Sequence, residues 1–157
     1  MKKKILVLGL GNPLMADEGI GCRIIERFLT QASKYPNIDF IDAGTGGMAI
    51  LYLIADRQKV IFIDCAYMGT KPGTIKRFKQ NDVQSIKKLT HLSLHEIDIL
   101  KVIDLAKQLG HYPDEVVIFG IEPEIIEQGQ SLSETISQRI DEYITVISAE
   151  LKLSAEE

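Results

Sequence analysis

The chain has 157 residues, of which 45% are hydrophobic and 25% are charged, and its net charge at neutral pH is -4. This length and composition predict one globular domain over residues 1–157, with a core large enough to fold without disulfide bonds or structural metal ions. The negative charge argues against a nucleic-acid or membrane surface, and no stretch approaches the ~20 apolar residues of a membrane span. Cys22 and Cys65 are far apart and form no CxxC pair, which is typical of a reduced, cytoplasmic protein.

Strands and helices alternate along the chain. The predicted elements, in chain order, are a strand at 5–8, a helix at 19–30, a strand at 38–41, a short helix at 48–54, a strand at 60–63, a polar strand at 74–78, a helix at 94–109, a strand at 116–119 and one final helix through 136–151 capped by Ser131 or Ser133. The aliphatic strands are typical of parallel sheets covered on both faces, whereas the polar strand suits a sheet edge. The alternation predicts a three-layer α/β/α sandwich with a mostly parallel, twisted central sheet of about five strands.

Acidic residues crowd the predicted carboxyl ends of these strands. Ligands of open α/β sheets bind beyond this edge. Here the edge carries Glu18, Asp42, Asp64 and Glu122. A nucleotide site would instead need backbone amides and lysines, so the edge indicates a different ligand.

The glycines at residues 9–11 (GLG) suggest a dinucleotide-binding loop. The G-x-G-x-x-G fingerprint is incomplete, however, because Leu14 stands where the third glycine should be. Asp17 is the predicted N-cap of the helix at 19–30, which places Glu18 in the first turn. A carboxylate there would repel a pyrophosphate, so the pattern argues against a dinucleotide.

Glu18, Asp64 and His95 form a candidate metal site. Two carboxylates and one imidazole suit a divalent transition metal, and three protein ligands leave coordination positions open for water or a partner. Each residue also has a structural interpretation: Glu18 suits a helix dipole, Asp64 a turn, and His95 the first turn of a helix. Their wide separation in sequence leaves both interpretations open, and His91 is an alternative to His95.

Cys65 adjoins Asp64 and suggests a thiol protease with His95 as its base. Successive side chains of a strand face opposite ways, so Asp64 and Cys65 are not expected to line the same site. A buried, inert thiol is the favoured interpretation of Cys65 and of the helical Cys22.

Several sequence blocks resemble the hydrogenase maturation endopeptidases. The most specific is the family pattern G-N-x-L-x-x-D-x-G-x-G, which matches residues 11–21 (GNPLMADEGIG). Supporting blocks follow in the family's order, namely DAGTGGM at 42–48, IDCA at 63–66, PGT at 72–74, His95 opening a helix, and GIEP at 120–123. The resemblance covers nearly the whole chain and implies a phosphorylase/hydrolase-like α/β fold.

The resemblance implies an endopeptidase that removes the C-terminal extension of a nickel-iron hydrogenase large-subunit precursor after nickel insertion. It implies that Glu18, Asp64 and His95 bind nickel supplied by the precursor, and that other divalent ions can occupy the site in vitro. Asp17 is then the capping residue of the motif, and Asp42 assists cleavage. Hydrolysis is expected to use a polarised water with a carboxylate base.

A glycine-rich loop is the candidate substrate-binding segment. Its residues are Gly44, Thr45, Gly46 and Gly47. Glycines let another backbone approach closely, so we expect the extended tail of the precursor to lie here. Nothing in the sequence requires more than a monomer.

Two alternative functions are also compatible with parts of this sequence. Peptidyl-tRNA hydrolases also begin with a strand and G-L-G-N-P, present here at residues 9–13, but their catalytic histidine has no counterpart before His91. The acidic balance of the chain also suits tRNA poorly. A non-enzymatic nickel carrier or hydrogenase chaperone would use the same three ligands without cleavage.

Overall fold

The computed structural model describes residues 2–79, 82 and 94–155, and its side-chain description covers these residues apart from 94–100 and 155. Within this part of the chain the strands are β1 Ile5–Gly9, β2 Ile38–Asp42, β3 Lys59–Cys65, β4 Ile75–Lys79 and β5 Glu115–Ile121. The helices are α1 Ile20–Leu29, α2 Ala49–Ile54, α3 Leu94–Leu109, α4 Glu134–Ser137 and α5 Ile140–Ala155, with 3-10 turns at Ala16–Gly19 and Ala32–Lys34.

The strands form one sheet with the order β2-β1-β3-β5-β4. The pairs β1–β2, β1–β3 and β3–β5 are parallel, whereas β4 pairs antiparallel with β5 at the edge. Every residue of the aliphatic β1 and of β3 is buried, but no residue of the lysine-rich β4 is fully buried. The mostly parallel sheet and its polar edge strand are therefore confirmed.

Helices cover both faces of the sheet and complete the three predicted layers. On one face α1 and α5 pack against the sheet through residues such as Ile25, Phe28, Tyr143 and Ile147. On the other face α2 and α3 contribute Ile50, Ile54, Val102 and Ala106. None of the helices in the described ranges is long and apolar enough to cross a membrane.

The chain after β5 differs from the sequence prediction of one final helix. It divides into α4 and α5 because the amide of Arg139 donates to the carbonyl of Ile136, three residues back, which tightens the chain between the two helices. Ser133 caps α4 as predicted, accepting a hydrogen bond from the Ile136 amide at 3.4 Å. The apolar stripe continues past the break, since Tyr143 and Ile147 are fully buried.

Candidate metal centre at the carboxyl edge of the sheet

Close glycine packing brings Glu18 to the carboxyl edge of the sheet. Gly11 has a φ of 123°, and a Cβ there would lie 2.0 Å from the backbone oxygen of Glu18. A Cβ on Gly21 would lie 2.5 Å from the carbonyl oxygen of Leu10 and 2.7 Å from that of Ile63. Only glycine lets the start of α1 pack so closely against the ends of β1 and β3. These glycines form a tight strand-to-helix connection.

Glu18 and Asp64 are both buried at this edge, with exposed fractions of 8% and 3%. Asp64 Oδ1 accepts a hydrogen bond from the amide of Cys65 at 2.8 Å. Among the described residues, Asp64 Oδ2 has no hydrogen-bond partner. Burial raises the pKa of Asp64, and the negative charge of the nearby Glu18 raises it further. Two buried carboxylates at short range are unfavourable unless a proton or a cation neutralises them.

The third predicted ligand lies outside the described side chains. His95 is the second residue of α3, whose backbone is described, but its side chain is not, and His91 lies outside the described residues altogether. The described side chains include no group of three or more His, Cys, Asp or Glu that could hold a metal, and the imidazole of His95 is not one of these side chains. The structure thus brings Glu18 and Asp64 together, and the role of His95 stays a prediction.

Asp17 does not cap α1, contrary to the sequence prediction. The N-cap position belongs to Gly19, which makes no side-chain cap, because the 3-10 turn at Ala16–Gly19 precedes the helix. The Asp17 carboxylate instead accepts hydrogen bonds from Glu124, Ile125 and Ser133. No local sequence signal could reveal these partners, since they lie 107 to 116 residues further along the chain.

Glu122 is a second structural carboxylate at the same edge. Its Oε1 accepts hydrogen bonds from the amides of Met68 and Thr70, at 2.9 and 2.8 Å, and from the Thr70 hydroxyl at 3.2 Å. These bonds fix the loop that follows β3. The carboxylates of Asp17 and Glu122 are therefore satisfied by donors from distant loops, which sets them apart from Asp64 and its unpartnered oxygen.

Asp42, the predicted assistant in cleavage, is exposed at the end of β2. Its Oδ1 accepts a hydrogen bond from the amide of Gly44 at 2.9 Å, which orients the carboxylate. Cys22 of α1 lies beside it: burial raises the pKa of the Cys22 thiol to about 12, helped by a hydrogen bond with Asp42 and by the negative charges of Asp42 and Glu26. Cys22 thus stays a neutral thiol at neutral pH, as predicted for an inert cysteine.

The glycine-rich loop lies next to the β1–α1 connection. Gly44, Gly46 and Gly47 have positive φ values of 57°, 83° and 85°. The amide of Gly11 donates to the carbonyl of Gly44 at 2.7 Å, which ties the loop to the connection that carries Glu18. A Cβ added to Gly44 or Gly47 would meet no atom within 4 Å, so the backbone faces open space there. This geometry is compatible with the predicted approach of an extended peptide.

Cys65 lies in the hydrophobic cluster with Ile61 and Ile63, on the face covered by α1 and α5. Strand alternation directs Asp64 to the opposite face. The prediction that the two side chains do not share a site is therefore confirmed. Cys65 thus packs among aliphatic side chains, as the prediction of an inert thiol requires.

Known proteins of one family are similar to this chain. A family model for hydrogenase maturation proteases matches residues 22–150. The hydrogenase expression/formation protein HupD of Rhodobacter capsulatus is 32% identical over 151 residues, which cover 96% of this chain and 72% of that protein. A putative hydrogenase maturation protease of Methanocaldococcus jannaschii is 30% identical over 156 residues, which cover 96% of this chain and 98% of that protein.

A solved structure shares the fold as well. The hydrogenase maturating endopeptidase HybD of Escherichia coli superposes with a TM-score of 0.85 at 28% identity, covering 98% of this chain and 94% of that chain. The family model spans most of this chain, and the M. jannaschii relative and the E. coli structure are both described as hydrogenase maturation proteases. The chain therefore belongs to the hydrogenase maturation protease family.

Proposed function

We propose that the protein is an endopeptidase that removes the C-terminal extension of a nickel-iron hydrogenase large-subunit precursor after nickel has been inserted. Family membership supports the protease activity, and the names of HupD and HybD connect those relatives with hydrogenase maturation. The observation that carries the metal part of the proposal is Asp64 Oδ2, a buried carboxylate oxygen that has no partner among the described residues.

The donor set fits a divalent transition metal. Glu18 and Asp64 offer carboxylate oxygens at one buried position, and His95 would add an imidazole nitrogen. A bound divalent ion supplies the positive charge that two buried carboxylates need. Three ligands leave coordination positions open, so nickel is part of the substrate here: it is held by the precursor and shared with the protease. Only a loaded precursor would then engage fully.

We assign cleavage to exposed groups at the same carboxyl edge of the sheet. Asp42 is accessible and is oriented by the amide of Gly44, so it can accept a proton from an attacking water. The open backbone of the loop at residues 44–47 would hold the extended tail of the precursor. Glu18 and Asp64 recognise the substrate, whereas Asp42 takes part in hydrolysis.

The direct test is incubation with a hydrogenase large-subunit precursor, with and without nickel, followed by intact-mass analysis. We expect loss of the C-terminal extension only from the nickel-loaded precursor, and no cleavage by Glu18→Gln, Asp64→Asn or His95→Ala. Cleavage that is equally fast without nickel would contradict nickel recognition. A stable complex without any cleavage would replace the protease with a nickel carrier or chaperone.

The family assignment favours the protease over the peptidyl-tRNA hydrolase alternative. Monomeric state, cytoplasmic location and the lack of nucleic-acid or membrane partners stay predictions. Size-exclusion chromatography with light scattering would test the first of these.

A further inference from the structure

The segment after β5 lies across the turn that carries Glu18. We call residues 123–133 the strap. The amide of Ala16 donates to the carbonyl of Gly129 at 2.8 Å, and the amide of Gly129 donates to the carbonyl of Leu14 at 2.8 Å. The amide of Asp17 donates to the carbonyl of Ile125 at 3.1 Å. The strap is thus hydrogen-bonded to the turn along its length.

One buried carboxylate holds the strap in place. Asp17 is fully buried, and its Oδ1 accepts a hydrogen bond from the amide of Ser133 at 2.7 Å. Its Oδ2 accepts from the amides of Glu124 and Ile125, at 2.9 and 2.8 Å, and from the Ser133 hydroxyl at 2.8 Å. Four hydrogen bonds from three strap residues meet at this one side chain, so it is the main attachment of the strap.

The turn held by the strap has an unfavourable backbone conformation. Ala16 has a φ of 51°, in the left-handed region that non-glycine residues seldom adopt. Such a conformation is unfavourable and persists only where the surroundings impose it. The strap imposes it here through the Ala16 amide and through Asp17. Glu18 follows directly, so the direction of its carboxylate depends on this turn.

We propose that Asp17 is a positioning residue for Glu18. By fastening the strap, it keeps the turn at residues 15–18 in its strained conformation and so aims Glu18 at the position it shares with Asp64. This inference rests on the proposed function, because it assigns to Glu18 the recognition of nickel in the precursor. Glu18 itself is the group that would touch the metal, and Asp17 acts through it.

The decisive variant is Asp17→Asn, which keeps the shape of the side chain. It replaces one acceptor oxygen with an NH2 group, and this hydrogen-bond donor would face the N–H and O–H donors of the strap. We expect faster hydrogen exchange at the amides of Glu124 and Ile125, and a KM for the nickel-loaded precursor raised at least about tenfold, since residues that orient metal ligands typically contribute 10- to 100-fold. A purely structural role would lower the amount of active protein, and so the apparent kcat, and would leave KM unchanged.

Glu150→Gln is the matched control, because Glu150 is a buried carboxylate of α5 with several hydrogen bonds, away from the carboxyl edge. We expect it to lower stability and to leave KM unchanged. If Asp17→Asn fails to fold, Ser133→Ala decides, because it removes only the hydroxyl bond to Asp17 and the cap of α4. An unchanged KM in the folded variant overturns the inference.

Glu18→Gln, measured in the same series, separates the two proposals. If Glu18→Gln processes the nickel-loaded precursor normally, the metal-recognition part of the proposed function is wrong. If Glu18→Gln is inactive while Asp17→Asn has the KM of the unaltered protein, only the positioning role of Asp17 is wrong.

Discussion

Buried carboxylates at the two ends of the sheet differ in their hydrogen-bond and ion-pair partners. Near the amino end, the ammonium of Lys59 donates to Glu150 at 2.7 Å, and Arg77 donates to the two oxygens of the same carboxylate at 2.8 and 2.9 Å. At the carboxyl end, Glu18 and Asp64 are buried close together, and one oxygen of Asp64 has no partner in the described part of the chain. Every oxygen of the carboxylate at the amino end is thus paired with a cation, whereas one buried oxygen of Asp64 at the carboxyl end has no partner among the described residues.

This difference separates a stabilising cluster from a candidate functional site. A buried ion pair that keeps both partners is tolerated, whereas an unpaired buried carboxylate costs free energy. A fold that retains such a cost at a sheet edge where ligands bind indicates that function requires it. The substitutions below alter one end at a time.

The largest effect is expected for Glu18→Gln at the carboxyl end. Removing the charge of one metal ligand should slow processing of the nickel-loaded precursor at least about 100-fold, because losing a group that only orients a ligand already costs about 10- to 100-fold. Processing rates by intact mass give the measurement. Glu26→Gln is the control, because Glu26 is an exposed residue of α1, the helix that follows the turn carrying Glu18. This variant should process the precursor normally. Equal rates for both variants would contradict the metal assignment.

Glu150→Gln alters the amino end. Losing the carboxylate charge leaves Lys59 and Arg77 only partly compensated and should lower the free energy of unfolding by about 2 kcal/mol. Processing by the folded variant should be unchanged. Chemical denaturation measures the first effect, and an unfolding free energy equal to that of the unaltered protein would show that the cluster contributes nothing.

The same variant has a defined pH dependence. Burial alone would raise the pKa of Glu150, but hydrogen bonds from Arg77 and Lys59 outweigh it and hold the pKa below the usual value of 4.5. A lowered folded-state pKa gives stability that is present above the unfolded value and is lost as the pH falls through the folded value. The stability difference between the two proteins should therefore be constant above about pH 5 and shrink below pH 4.5. A difference that grows on acidification would contradict this.

Cys65→Ser should have a smaller effect. The hydroxyl would lie among Ile61 and Ile63 and should lower stability by about 1 kcal/mol. Processing should persist because the thiol does not face the candidate site. Loss of cleavage by a folded Cys65→Ser variant would restore the thiol mechanism.

The smallest effect concerns Cys22. Its pKa of about 12 keeps the thiol protonated at neutral pH, so alkylation of the folded protein by iodoacetamide should be far slower than that of the unfolded chain. Mass spectrometry after timed alkylation gives the rate. Rapid labelling of folded Cys22 would show that burial, with Asp42 and Glu26, does not hold the thiol in its neutral form.

The sheet could be predicted from sequence because the apolar or polar pattern of each strand indicates how deeply that strand is buried. Aliphatic β1 and β3 are central, and lysine-rich β4 is at the edge. The break between α4 and α5 could not be predicted, because the apolar stripe runs through it without interruption. It depends on a single tightened hydrogen bond at Arg139.

The candidate site was predicted in part. Glu18 and Asp64 meet because parallel strand ends share one edge, which the alternation of elements already implies. The functions of Asp17 and Glu122 could not be separated from those of Glu18 and Asp64 by residue type alone. Only tertiary contacts show that the first two bind backbone amides of distant loops.

The central claim is that the buried charge at the carboxyl edge is kept for nickel in the precursor and not for stability. Asp64→Asn tests it most directly when chemical denaturation and processing of the nickel-loaded precursor are measured on the same preparation. The account predicts an unfolding free energy equal to or above that of the unaltered protein, because an unpaired buried carboxylate is removed, together with loss of processing. Normal processing by Asp64→Asn would contradict it.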